Sequence, residues 1–193
     1  MTLLFRHLHS AKSGNFANAA YQLSPLALER LAAPLPPQLS FEQVAAMPLA
    51  ISTAAAGLYL PEYLGLPLPS TAPKFTGKTV LIWGGSSSVG ATAIQLAIAS
   101  GLEAITTAST LNHAFVRSIG ATEVFDYKSP SVVEDIVARL QHSELVGVYD
   151  AIGEENSLRP LAAIVKLLAR PIASVTVHPC ENPTDAFYPT YSM

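Results

Sequence analysis

Thr79-Val-Leu-Ile-Trp-Gly-Gly-Ser-Ser-Ser-Val-Gly90 decides the fold. Its first part is a short apolar run that stops at Gly84-Gly85, the pattern of a parallel strand buried on both faces. Val89–Ser100 follows as a helix, with Val89, Ala93, Leu96 and Ala97 on one side. In such a turn, backbone N–H groups and the positive end of the helix dipole point at an anion. Against the Gly-x-Gly-x-x-Gly pattern, Gly85 fills the first position and Gly90 the third. Ser87 replaces the middle glycine, giving up one close backbone approach and adding a hydroxyl beside the phosphates. Gly85, Ser86, Ser87, Ser88, Val89 and Gly90 are therefore the expected pyrophosphate cradle of a dinucleotide. A tight turn with no ligand is the plainer alternative. Ala91-Thr92 stands where a P-loop needs Lys-Ser/Thr, so nothing there would neutralise β- and γ-phosphates. Neither a Gly-x-Ser-x-Gly elbow nor a Tyr followed four residues later by Lys occurs.

Beyond this unit, strand and helix alternate. Expected strands are Glu103–Ala108, Glu123–Tyr127, Leu145–Tyr149 and Ile172–Val177. Between them, Leu111, Phe115 and Ile119 mark a helix closed by Gly120, and Ser131 with Glu134 caps a helix lined by Val133, Ile136, Val137 and Leu140. Asn156–Ala169 is the last helix. With no hairpin signal, this order predicts a doubly wound parallel sheet. After Val177 the chain carries Pro179, Pro183 and Pro189, and no sixth strand is expected.

In the other direction, Gly65–Pro73 reads as a connecting loop, and two helical stretches precede it. Ser40 and Gln43 have capping-box spacing, Leu39 is set to staple onto Val44, and Pro48 is expected to separate that helix from a second over Ser52–Leu64. Met1–Ala20 shows no sustained period.

The chain has 193 residues, of which 50% are hydrophobic and 13% charged, against about 25% charged in an ordinary soluble protein. That composition excludes intrinsic disorder. A net charge of −3 offers no positive field for nucleic acid or anionic lipid. The stretches Gln43–Pro61 and Thr79–Leu102 reach the length of a membrane span, but prolines, glycines and serines interrupt both. A soluble protein of the cytoplasm is expected. One cysteine, Cys180, excludes an internal disulfide framework, and His7-x-His9 has no third ligand at suitable spacing, so no metal is expected.

Cofactor choice is read where the second strand ends. An NAD site places Asp or Glu there, about 20 residues past the glycine turn, for the ribose 2′-hydroxyl. Here the stretch is Thr106-Thr-Ala-Ser-Thr-Leu-Asn112, without a carboxylate. Ser109 and Asn112 would accept a 2′-phosphate, with Tyr127 and Lys128 closing the adenosine pocket, so NADPH is expected over NADH. Asp150 is a candidate contact to cofactor ribose, or a structural residue at its strand end.

Three segments carry a resemblance: Leu35–Ala50, Ile51–Gly57 and Gly77–Gly90, with Phe125-Asp-Tyr127 and Tyr149-Asp-Ala-Ile-Gly153 in keeping. Over roughly Gly14 to Val177 the chain resembles medium-chain dehydrogenases/reductases, within them the fungal zinc-independent branch that includes trans-acting enoyl reductases working with polyketide synthases. The resemblance implies that Thr53 faces the nicotinamide and that hydride passes to an enoyl or carbonyl substrate, free or as an acyl thioester. It also implies a division into residues 1–50, the remnant of a GroES-like catalytic domain with its connecting helix, and 51–193, a dinucleotide-binding Rossmann unit. Most of the barrel and the last strand are missing from the pattern, so the chain is expected to be truncated at both ends. A catalytically silent dinucleotide-binding module is the alternative function. If the sheet stops at Ile172–Val177, that bare strand would pair with a second copy, giving a homodimer or aggregates.

Overall fold

The computed structural model describes residues 3–5, 14–15, 17, 32–179 and 189–191. His7, His9 and Cys180 lie outside the described residues. Contacts divide the chain into two units, Met1–Ser52 and Thr53–Met193.

In the first unit, β1 (Leu3–Phe5) pairs antiparallel with β2 (Ala32–Pro34). The short helix α1 (Phe41–Val44) begins at the expected capping box. Gln43 N–H donates to Ser40 Oγ at 3.4 Å, and Ser40 N–H donates to Gln43 Oε1 at 2.8 Å. The next helix, α2, runs over Met47–Tyr59, not Ser52–Leu64. Pro48 sits in its first turn, where a missing N–H breaks no helical bond, so it opens the helix rather than separating two.

The second unit is built on β3 (Lys78–Trp83), α3 (Ser88–Ala99), β4 (Glu103–Thr107), α4 (His113–Ser118), β5 (Glu123–Phe125), α5 (Val132–Leu140), β6 (Glu144–Asp150), α6 (Glu155–Leu168), β7 (Ser174–Thr176) and β8 (Thr190–Tyr191). The strands pair in the order β5-β4-β3-β6-β7-β8, every pair parallel. This is the doubly wound α/β sheet expected, with its direction of winding reversing between β3 and β6. Alternate strand residues feed two cores. Val80, Ile82, Ala104, Val124 and Tyr149 pack with the α2 and α3 residues Ala54, Leu58, Ala93 and Ile94. Leu81, Trp83, Ile105 and Val148 pack with Ile136, Leu140, Leu161 and Ile164 of α5 and α6. In β6 the register slips: Thr79 faces Leu145, but Val80 faces Gly147. Val146 packs into the first core, and a side chain at Gly147 would meet Leu64 Cδ2 of that core at 2.8 Å, so two successive residues address one face.

Several expectations are corrected. Leu111, Phe115 and Ile119 mark a helix that is shorter than their span, His113–Ser118, and a 3-10 turn over Thr110–Asn112 precedes it. Leu111 and Phe115 are 93% and 46% exposed, and Val116 is the buried residue of α4. Ser131 does not cap α5 through its side chain, because its hydroxyl donates to Asp135 Oδ2 at 2.8 Å. The strand expected over Ile172–Val177 is a ladder of Ser174–Thr176, and it is not the last: Thr190–Tyr191 pairs beside it, Val175 opposite Thr190. The fifth strand is therefore not a bare edge. Among the described residues no helix is long and apolar enough to cross a membrane; the two uncharged stretches resolve into α1 with α2 and into β3 with α3.

Candidate dinucleotide site

The turn after β3 is tied to the end of β4. Gly84 takes φ +79°, a conformation that favours glycine, and its N–H donates to Thr107 Oγ1 at 3.0 Å. Gly85 N–H donates to the Thr107 carbonyl at 2.9 Å. A Cβ at Gly85 would lie 2.1 Å from Thr106 Oγ1 and 2.8 Å from Ile94 Cδ1. Thr106 has little freedom to withdraw, since its hydroxyl donates to the Ile82 carbonyl at 2.7 Å. At Gly90 a Cβ would lie 2.2 Å from the Gly84 carbonyl oxygen. The outer glycines of the pattern are thus required by the contact of strand, turn and helix.

Ser87 also has a structural job. It is the N-cap of α3, and its hydroxyl accepts the Gly90 N–H at 3.0 Å through a lone pair, which leaves its O–H able to donate. The cap satisfies the third N–H of the helix. The N–H groups of Ser88 and Val89, which open the helix, have no intrahelical partner and lie at the positive end of its dipole. Ser88 is exposed, and Ser86 and Val89 are half-buried.

At the ends of β4 and β5, Ser109 and Asn112 form one unit. Asn112 N–H donates to the Ser109 carbonyl at 2.8 Å, and Asn112 Nδ2 donates to Ser109 Oγ at 3.2 Å. His113 has Nε2 3.2 Å from the Ala108 carbonyl and steadies this turn. Ala108 N–H donates to the Phe125 carbonyl at 3.0 Å, which brings the neighbouring strand end alongside. There Tyr127 is 45% exposed, with the Lys128 ammonium 5.7 Å from its ring centroid.

Thr53 belongs to the other side of the glycine turn. It is buried, and its carbonyl accepts the hydroxyl of Tyr149, a fully buried residue of β6, at 3.1 Å. The next residue, Asp150, is also buried. Its carboxylate accepts Ser157 Oγ at 2.7 Å and Ile152 N–H at 3.0 Å. Burial pushes the Asp150 carboxyl above its ordinary range, while hydrogen bonds from Ser157, Ile152 and Gly153 and the charge of His178 pull it back. These contacts spend Asp150 on the turn into α6. Thr106, Thr107, His113 and Tyr149 all shape the site and were not singled out for it by sequence. For the two threonines, a pair of hydroxyls ending an apolar strand was the available signal. Among the described residues, no three His, Cys, Asp or Glu side chains are grouped to hold a metal ion.

No protein-family model matches the chain. It is 52% identical over 157 residues to the dehydrogenase azaJ of Aspergillus niger, a match covering 81% of this chain and 45% of that protein. With the trans-enoyl reductase himH of Aspergillus japonicus it is 47% identical over 151 residues, covering 78% of this chain and 43% of the relative. The chain spans a little under half the length of these relatives. Among solved structures, the Escherichia coli quinone oxidoreductase complexed with NADPH superimposes with a TM-score of 0.54 at 28% identity, over 68% of this chain and 37% of that one.

Proposed function

The chain belongs to the medium-chain dehydrogenase/reductase superfamily, and on that premise we propose that it binds NADPH as the cofactor-binding part of a reductase acting on enoyl or carbonyl compounds in secondary metabolism. One observation carries the cofactor choice. The end of β4 holds a hydrogen-bonded Ser109–Asn112 pair and no carboxylate, and Lys128 stands at the next strand end, close to Tyr127. A 2′-phosphate would meet donors and a cation there, where an NAD site offers an acid.

In this reading, the N–H groups of Ser88 and Val89, with the Ser86 and Ser88 hydroxyls, hold the pyrophosphate against Gly85 and Gly90. Ser109, Asn112 and Tyr127 hold the adenosine end, and Thr53 orients the nicotinamide ring. The Ser87 hydroxyl caps the helix and donates to the pyrophosphate with its O–H. NADPH, when bound, supplies the hydride that reduces the electrophilic carbon. The protein's share is to position the ring and keep water from it. The relative named a trans-enoyl reductase favours an enoyl compound as the substrate. Residues 1–50 would then belong to a substrate-binding barrel and 51–193 to the cofactor unit.

Isothermal titration tests the choice of cofactor. NADPH should bind about tenfold or more tightly than NADH, the worth of one charge-assisted contact. Ser109→Asp should narrow or invert that ratio by repelling the 2′-phosphate. Equal affinities in the native chain would overturn the assignment.

A further inference from the structure

Two polar residues stand side by side at the carboxyl end of β6, in the middle of the sheet. Tyr149 and Asp150 are both fully buried. Being consecutive in a strand, they address opposite faces. Tyr149 reaches up to the Thr53 carbonyl in α2 at 3.1 Å, and Asp150 reaches the other way to Ser157 Oγ in α6 at 2.7 Å. Burying such groups is costly unless each finds its partner, and both do. An apolar pair would pack these positions without that requirement, so the polar pair specifies location rather than stability.

The location is informative. Tyr149 lies opposite Ile82 and Asp150 opposite Trp83, the last two residues before Gly84. The glycine turn therefore has β4 and β5 on one side and β6 on the other. Ser109, Asn112 and Tyr127 take the β4 and β5 side, which leaves β6, across the reversal of winding, for the other half of a dinucleotide.

We propose that Tyr149 and Asp150 are positioning residues for the nicotinamide end of the site: Tyr149 fixes Thr53 on one face of the sheet, and Asp150 fixes the Ala151–Gly153 turn on the other. This rests on the reading that the chain binds NADPH. Neither residue touches the ring. Tyr149 acts through the backbone of Thr53, and Asp150 acts through the amides it binds and through Ser157.

The test titrates the full chain with two ligands: NADPH, whose reduced nicotinamide fluoresces, and 2′,5′-ADP, which has the adenosine end and no nicotinamide. Tyr149→Phe keeps the ring packing and removes one hydroxyl. It should leave 2′,5′-ADP affinity unchanged, weaken NADPH about five-fold, the worth of one hydrogen bond, and return the bound nicotinamide emission toward that of free cofactor. Ser157→Ala, which withdraws a donor from Asp150 on the opposite face, should do the same and serves if Tyr149→Phe does not fold. Loss of both ligands together with a lowered Tm would mark a merely structural role and overturn the proposal. So would variants that bind NADPH with native affinity and emission. A native chain that binds 2′,5′-ADP but leaves NADPH emission unaltered would overturn the positioning role alone. Binding of neither ligand to the native chain would overturn the cofactor reading with it.

Discussion

The two ends of the parallel sheet differ in kind. At the end where strands begin, charges meet charges. Lys78 pairs with Glu144 at 2.9 Å, and Arg139 reaches Glu123 at 2.7 Å, Glu103 at 3.0 Å and Ser143 Oγ at 2.6 Å. Arg170 adds hydrogen bonds to the carbonyls of Leu140 and Ser143 at 3.2 and 2.9 Å, closing the end of α5. At the end where strands finish, apart from the buried carboxylate of Asp150, the bonding runs through hydroxyls and backbone: Thr106 to Ile82, Gly84 and Gly85 to Thr107, Gly90 to Ser87, Asn112 to Ser109. Parallel strands all start on one side and finish on the other, so the sheet can keep these jobs apart. One end ties strand starts together through the Arg139 side chain. The other holds the glycine turn and the start of α3 in place.

If that division is real, the two ends should fail differently. The largest effect is expected at Gly90, where a methyl group would sit 2.2 Å from the Gly84 carbonyl. Gly90→Ala should cost about 3 kcal/mol of stability, the upper range for overpacking, and abolish NADPH binding. Thermal melts and calorimetric titration of one preparation would check both. Arg139→Met at the opposite end should cost about 2 kcal/mol, since it unties three hydrogen-bonded partners at a partly buried position, yet leave NADPH affinity as it was. A loss of affinity that tracked the loss of stability would break the comparison. The smallest effect is one of sign. Because burial raises the Asp150 carboxyl, the folded chain keeps that proton to higher pH than the unfolded chain. Its contribution is fully present below the ordinary carboxylate range and is lost as pH rises through the raised value. Denaturation of the native chain and Asp150→Asn from about pH 4 to about pH 8 should therefore show the native chain's relative stability falling with pH. A rise would mean that the hydrogen bonds from Ser157 and Ile152 outweigh burial.

Much of this was legible in the chain itself, for local reasons. An apolar run stopped by two glycines, a capping serine three residues before Gln43, and strands alternating with amphipathic helices each carry their meaning within a few residues. The glycine positions could be read because their spacing falls within one strand–turn–helix unit, although Gly85 is also pressed by Thr106 of β4. The cap at Ser87 could not be read, because a serine at a helix start can donate to a ligand, cap the helix or do both, and only geometry shows the cap. Leu111 and Phe115 have helical spacing, but the inner face of α4 is set by how it lies on β5, which no spacing in six residues can state. Thr190–Tyr191 is too short to leave a pattern. The link from Tyr149 to Thr53 spans 96 positions, and nothing near either residue announces the other.

The slipped register in β6 has a consequence of parity. A strand assigns its residues to two faces as odd and even, and one supernumerary residue exchanges the assignment for everything downstream. Leu145 packs with the core of α5 and α6, Val146 and Gly147 both address the core that holds Leu64, and from Val148 onward the count has changed step. Had the same residues run as a regular strand from Leu145, the phenol of Tyr149 would lie on the side of α5 and α6, and the carboxylate of Asp150 on the opposite side. The irregularity thus acts as a phase setter, deciding two positions upstream of Tyr149 which chemistry each face of the crevice receives.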